Sequence, residues 1–179
     1  IPLADARINV VNRMLDRHGA LLGVKEFRTK KDPNLLGPTT LATMFRQVER
    51  PAVDEGFASI ETIGFARTPG TGRAGAAVPL EQLDALASVP PEVPVLVFGW
   101  NADEAAVRAK VAAAGRTSDV EVLVCPHPDG PPACWCRPPL PGLWLAFARK
   151  YGVDPRASTM FASSPVHRTM ANELGMKVR

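Results

Sequence analysis

The chain has 179 residues, 46% hydrophobic and 22% charged, which is ordinary globular usage and excludes wholesale disorder. No apolar run approaches the ~20 residues of a membrane span, and Ile1-Pro2-Leu3-Ala4-Asp5-Ala6-Arg7 lacks a signal peptide's basic start, so a soluble cytoplasmic protein without a membrane partner is expected. The net charge of +3 is uneven: residues 1–50 hold nine Lys/Arg against five Asp/Glu, the remainder twelve against thirteen.

Leu3 to His18 reads as an amphipathic helix, with Pro2 before its first turn, Gly19 as its stop, and Ile8, Val11 and Leu15 on one face. Residues 20–50 are broken by Asp32-Pro33-Asn34 and Gly37-Pro38. Phe57 to Phe65 predicts a strand, followed by the turn-rich stretch Arg67–Gly75. Pro79 to Ala87 predicts a short helix, Val93–Phe98 a strand, Asp103–Ala114 a helix, and Val120–Val124 a strand. Pro141–Tyr151 follows as a helix, then Ser158–Ala162 as a strand and Val166–Leu174 as a helix stopped by Gly175. The tail Met176–Arg179 reads as the start of another strand, as if the chain were a piece of a longer protein. Strands separated by single helices mean parallel strands joined by crossovers. The expected fold is therefore α/β, a Rossmann-like three-layer parallel sheet (residues 57–179) preceded by a basic helical segment (residues 1–56).

The positive excess of that first segment includes Arg13, Arg17, Lys25, Arg28, Lys30 and Lys31. Such a cluster is either a solvated helix face or a surface that meets nucleic-acid phosphates. Two further features need weighing. Gly70-Thr-Gly72-Arg-Ala-Gly75 matches a dinucleotide fingerprint, but no helix opens within it, so it reads as a loop. Of the three tryptophans, Trp144 lies on a helix core stripe, Trp135 sits among cysteines, and Trp100 stands at a strand's C-terminal end, where ligands stack.

All three cysteines fall within twelve residues, Cys125-Pro-His127 and then Cys134-Trp-Cys136. Three thiolates and one imidazole make a complete tetrahedral Zn2+ set. Four protein ligands leave no open position, so the zinc is expected to be structural, ordering a proline-rich loop that has little apolar content of its own.

This motif, a strand followed by Cys125-x-His127, Cys134-x-Cys136-Arg137 and Pro141-Gly142, resembles the zinc loop of haloacid dehalogenase-type phosphatases acting on histidinol phosphate and heptose bisphosphate. A second stretch, Phe45-Arg46, Glu49-Arg50-Pro51 and Glu55-Gly56-Phe57 through Phe65, is similar to the closing segment of P-loop polynucleotide kinase domains. Together they resemble polynucleotide kinase-phosphatases, and the resemblance implies an upstream kinase domain as partner.

The dehalogenase-type resemblance implies a nucleophilic aspartate after the first strand, an acidic partner two residues on, a hydroxyl after the second strand, a lysine, and magnesium carboxylates after the fourth. Here the corresponding positions read Ala66, Thr68, Gly99, Pro138, Ser163 and His167, none of which supplies that chemistry. His167 is expected at the surface or in a helix cap. Asp103, Asp119 and Asp129 read as caps and turn residues. Two functions remain open: a catalytically degenerate, zinc-stabilised module that binds a partner or a nucleic-acid end, or part of an active polynucleotide kinase or kinase-phosphatase.

Overall fold

A computed structural model of the chain describes residues 1–68, 70–128 and 134–179. Three helices come first: α1 (Leu3–His18), α2 (Val24–Lys30) and α3 (Pro38–Gln47). The alternation that follows is β1 (Ala76–Pro79), a run of 3-10 turns over Leu80–Ser88, β2 (Val95–Trp100), α4 (Glu104–Ala113), β3 (Val120–Cys125), α5 (Gly142–Tyr151), β4 (Thr159–Met160), α6 (Pro165–Leu174) and β5 (Lys177–Val178). None of these helices is long and apolar enough to cross a membrane.

All strand pairs are parallel, in the order β3-β2-β1-β4-β5. This is the doubly wound, Rossmann-like arrangement, in which the chain's direction of travel across the sheet reverses between β1 and β4. Two cores sit on opposite faces. Ala76, Val78, Val95, Val97 and Val122 meet the 3-10 run and α4 on one side. On the other side Ala77, Leu96, Phe98 and Met160 share a core with α5 and α6, and α1 joins it by packing on those helices. Three layers result, as the alternation of elements predicts.

The first strand is not where the alternation of residues 57–65 suggested. Phe57 to Thr68 forms no strand, and among the described residues the sheet begins at Ala76. The reason lies in burial. β1 is the central strand, buried on both faces along all four residues, so it shows no period of two. Its two alanines and Pro79 also have low strand propensity, and Pro79 is tolerated because it is the strand's last residue.

Helix α1 belongs to the same core as the sheet. Val11, Met14 and Leu15 are buried with Trp144 and Phe147 of α5, and Leu22, Leu35 and Leu41 join them. Ion pairs bind the layers from outside: Arg7 to Glu173 at 2.6 Å, and Arg149 to Asp16 at 2.5 Å. Helix α1 therefore packs on α5 and α6, the helices that lie against this side of the sheet.

The glycine-rich stretch precedes β1 and passes the amino end of the sheet. Arg73 bridges Val153, donating its N–H to the Gly152 carbonyl at 3.0 Å. A Cβ on Gly72 would lie 2.7 Å from the Asp154 nitrogen, so glycine is required by the close backbone approach. No helix opens there.

Candidate metal centre and the carboxyl edge of the sheet

Strand β3 ends on Cys125, which pairs in register with Trp100 at the end of β2. The chain then turns, and Cys134 and Cys136 return to the same point. Cys125 Sγ lies 3.6 Å from Cys134 Sγ and 3.4 Å from His127 Nδ1, and Cys136 Sγ lies 4.0 Å from that nitrogen. The four ligand atoms all fall within 4.8 Å of one another. A tetrahedron with metal–sulfur bonds of about 2.3 Å has edges of about 3.8 Å. The donors are therefore spaced as a single tetrahedral metal ion would need them, with His127 offering Nδ1.

The thiols influence each other strongly. Cys134 is held well below the usual thiol range, first by its hydrogen bond from Cys125 and then by that from Cys136. Cys125 is pushed up, chiefly by Cys134, and Cys136 is pushed up, chiefly by Cys125. A divalent ion in their midst lets all three ionise.

The centre is tied to the N-terminal helices on its far side. Trp135, fully buried between two ligand cysteines, donates its indole N–H to the Leu36 carbonyl at 3.1 Å. A Cβ on Gly23 would stand 2.8 Å from His127 Nε2, so only glycine lets the start of α2 lie against the ligand imidazole. Gly142 opens α5 against the Trp135 carbonyl, which accepts its N–H at 2.9 Å, and a side chain there would strike that carbonyl. Trp100 donates its indole N–H to the His127 carbonyl at 2.7 Å, and Arg137 lies 5.0 Å over its ring. Trp100, expected in a binding position, is thus also a strut of the metal loop, and 38% of it stays exposed.

The carboxyl edge at the β1/β4 switch point is built from other residues. Leu80 follows β1 and packs against Gly99 of β2, where any Cβ would run into the leucine side chain. Gln82, two residues on, breaks the 3-10 run with φ −130° and ψ 37°. After β4, Ser163 Oγ lies 3.0 Å from His167 Nδ1, and Ser164 caps α6. His167 is buried, not at the surface: its ring meets Phe98 edge-on at 5.2 Å, and burial holds its pKa down. The apolar core beneath α6 reaches this third helical position, which the sequence pattern did not reveal. Pro138 lies in the turn after the metal loop and is joined to Pro139 by a cis bond.

Ala66 and Thr68 are corrected by the position of β1. They are exposed and lie ahead of the sheet. Thr68 lines a cavity of about 260 Å³ shared with Gly72, Val153 and Asp154, at the sheet's amino end. Leu80 and Gln82 are the residues that follow the carboxyl end of β1.

The basic residues separate into two sets. Arg13 donates to the Asn34 carbonyl at 3.1 Å, and Arg17 to Asp32 at 2.6 Å, so both brace the fold. Lys25, Lys30 and Lys31 are exposed on α2 and its cap. The side chain of Arg28 and all of Asp129 lie outside the described residues. Asp103 caps α4, accepting from the Ala105 nitrogen at 2.9 Å, and Asp119 pairs with Arg73 at 3.5 Å at the sheet's amino end.

No family model matches the chain, and no curated protein does. Among solved structures it is similar to the crystal structure of D,D-heptose 1,7-bisphosphate phosphatase from B. bronchiseptica complexed with magnesium and phosphate. The identity is 21% and the TM-score 0.45, over 59% of this chain and 78% of that one.

Proposed function

We propose that this protein is a zinc-stabilised, haloacid dehalogenase-like module that has lost phosphatase chemistry and serves as a binding or scaffolding unit. The observation that carries this reading is Leu80 seated on Gly99. Phosphoryl transfer through a carboxylate needs that carboxylate at the end of the central strand, where the phosphoryl group is attacked in line. A leucine there has no lone pair to offer, and Gln82 has no proton to give a leaving group. The strand order and the metal loop support the family; Ser163, His167, Gly99 and Pro138 supply neither magnesium carboxylates nor a phosphate-holding lysine.

Zinc suits the donor set: three soft thiolates and one imidazole at tetrahedral spacing favour it over hard, oxygen-seeking cations. Residues Cys125, His127, Cys134 and Cys136 would hold it, and with four protein donors it supplies fold stability rather than an activated water. The ligand surface we assign is the exposed basic set Lys25, Lys30 and Lys31, which suits the phosphates of a single-stranded nucleic-acid end in the cytoplasm. The parent protein would then be a polynucleotide kinase or kinase-phosphatase, a second reading that rests on the resemblance of Phe45–Phe65 to a kinase closing segment.

The test is a steady-state assay of the purified chain with p-nitrophenyl phosphate and magnesium. No turnover above background is expected. Turnover that Leu80→Ala or Ser163→Ala abolishes would overturn the non-catalytic reading. In parallel, binding to a fluorescent single strand should weaken steeply with salt and be lost in a Lys25/Lys30/Lys31→Ala variant; salt-independent binding, or none at low salt, would remove the nucleic-acid assignment.

A further inference from the structure

The cavity at the amino end of the sheet stands at the opposite end of the strands from the metal centre and from Leu80 and Gly99. It encloses about 260 Å³ between α1, α5, the end of α6 and the segments that lead into β1 and β4. Sites for drug-sized ligands run to about 300–1,000 Å³, so the room here is for a small molecule.

Asp154 is the group that gives the cavity a chemistry. It is only 9% exposed, and its Oδ1 accepts the Arg156 N–H at 3.0 Å, capping the turn at Pro155–Ala157. Its Oδ2 has no hydrogen-bond or ion-pair partner among the described residues, and the residue lines the cavity. A Cβ on Gly70 would lie 2.9 Å from that oxygen, so the glycine keeps the approach to it clear. A carboxylate oxygen set this deeply without a donor costs desolvation free energy, which the N–H groups of a bound cation offset.

The opposite charge lines the same cavity. Arg156 makes no ion pair with Asp154 or with any other described residue, and one of its nitrogens donates to the Arg67 carbonyl at 3.3 Å. Arg67 itself is already paired, with Asp5 at 3.1 Å. Asn12 of α1 adds an amide that has no hydrogen bond among the described residues, and Ile8, Leu145 and Leu174 supply an apolar wall.

These groups select by charge. A simple amine would satisfy Asp154 and set a second cation beside Arg156; a simple carboxylate would satisfy Arg156 and set a second anion beside Asp154. A molecule that carries both charges on one carbon satisfies both. We propose that this cavity binds a free α-amino acid with an apolar side chain, its ammonium on Asp154 Oδ2, its carboxylate on Arg156 and its side chain on the apolar wall. The proposal is independent of the functional reading above, since it uses no carboxyl-edge residue and no metal ligand.

Isothermal titration calorimetry of the natively purified chain with L-leucine, L-leucinamide and 4-methylpentanoate tests it. L-leucine should bind, while the amide, which lacks the carboxylate, and the acid, which lacks the ammonium, should each bind at least roughly tenfold more weakly. Arg156→Gln removes an exposed charge and Gly70→Ala blocks the approach to Asp154. Each should weaken L-leucine binding at least roughly tenfold with circular dichroism and metal content unchanged. No binding of L-leucine, L-valine or L-methionine up to about 10 mM would overturn the proposal. So would leucinamide or 4-methylpentanoate binding as tightly as L-leucine, or L-leucine binding that neither variant weakens.

Discussion

Leu80 and Gly99 are a matched pair: the leucine at the end of the central strand lies where a Cβ on the glycine would have to go. Leu80 packs there with the core on the α4 side of the sheet, and Gly99 is small because Leu80 is large. Gly99→Ala should therefore overpack the contact and destabilise the fold by about 1–3 kcal/mol. Leu80→Ala added to it should recover part of that loss. Denaturant titration of both single variants and the double measures the coupling, and strictly additive effects would show that the two side chains do not compete for the space.

Trp135 joins the metal centre to the N-terminal helices through its buried ring and its hydrogen bond to Leu36. Trp135→Ala should cost about 3–5 kcal/mol, the usual range for emptying a large aromatic site. Trp135→Phe keeps most of the volume but leaves the Leu36 carbonyl without its donor, and should cost less, about 1–2 kcal/mol. Chemical denaturation of the two variants separates packing from the hydrogen bond; a Trp135→Phe variant as stable as the natural protein would mean the indole N–H contributes nothing.

Asp32 sets the acid limit of the N-terminal helices. The Arg17 guanidinium holds its carboxyl far below the ordinary carboxylate range, aided by the Asn34 backbone N–H, and His18 Nε2 lies 3.1 Å away. A carboxyl whose folded pKa is depressed contributes stability above its unfolded pKa, near 4, and loses that contribution as pH falls toward the folded value. Asp32→Asn should lower the melting temperature at pH 7, and its gap to the natural protein should narrow by pH 3. Thermal melts at both pH values check the sign; a gap that widens in acid contradicts it.

Because His127 abuts Gly23 and Trp135 holds Leu36, metal removal should be felt beyond the metal loop. A strong chelator should raise amide exchange at Leu22–Leu36 and at Cys134–Cys136 while β1 and β2 stay protected. Exchange changes confined to the ligand loop would show that the N-terminal helices stand without it.

Much of this architecture was legible in the chain's punctuation. Gly19, Gly152 and Gly175 stop helices at positive φ, and the spacing of Cys125, His127, Cys134 and Cys136 names the metal centre before any fold is known. What was hidden has physical causes. Ala76-Ala77-Val78-Pro79 looks like a loop because a strand buried on both faces shows no alternation, whereas Phe57–Phe65 alternates but finds no sheet edge within the described chain. That exchange leaves Ala66 and Thr68 ahead of the sheet and puts Leu80 directly after β1. Pairings across long separations, such as Trp135 with Leu36 or Arg17 with Asp32, depend on tertiary geometry that no local pattern carries.

The most direct test of the central claim is the zinc content of the natively purified chain beside that of Cys134→Ser. One zinc per chain, lost in the variant together with a lower melting temperature, is the predicted result. A zinc-free chain whose melting temperature is indifferent both to chelator and to the serine would contradict it.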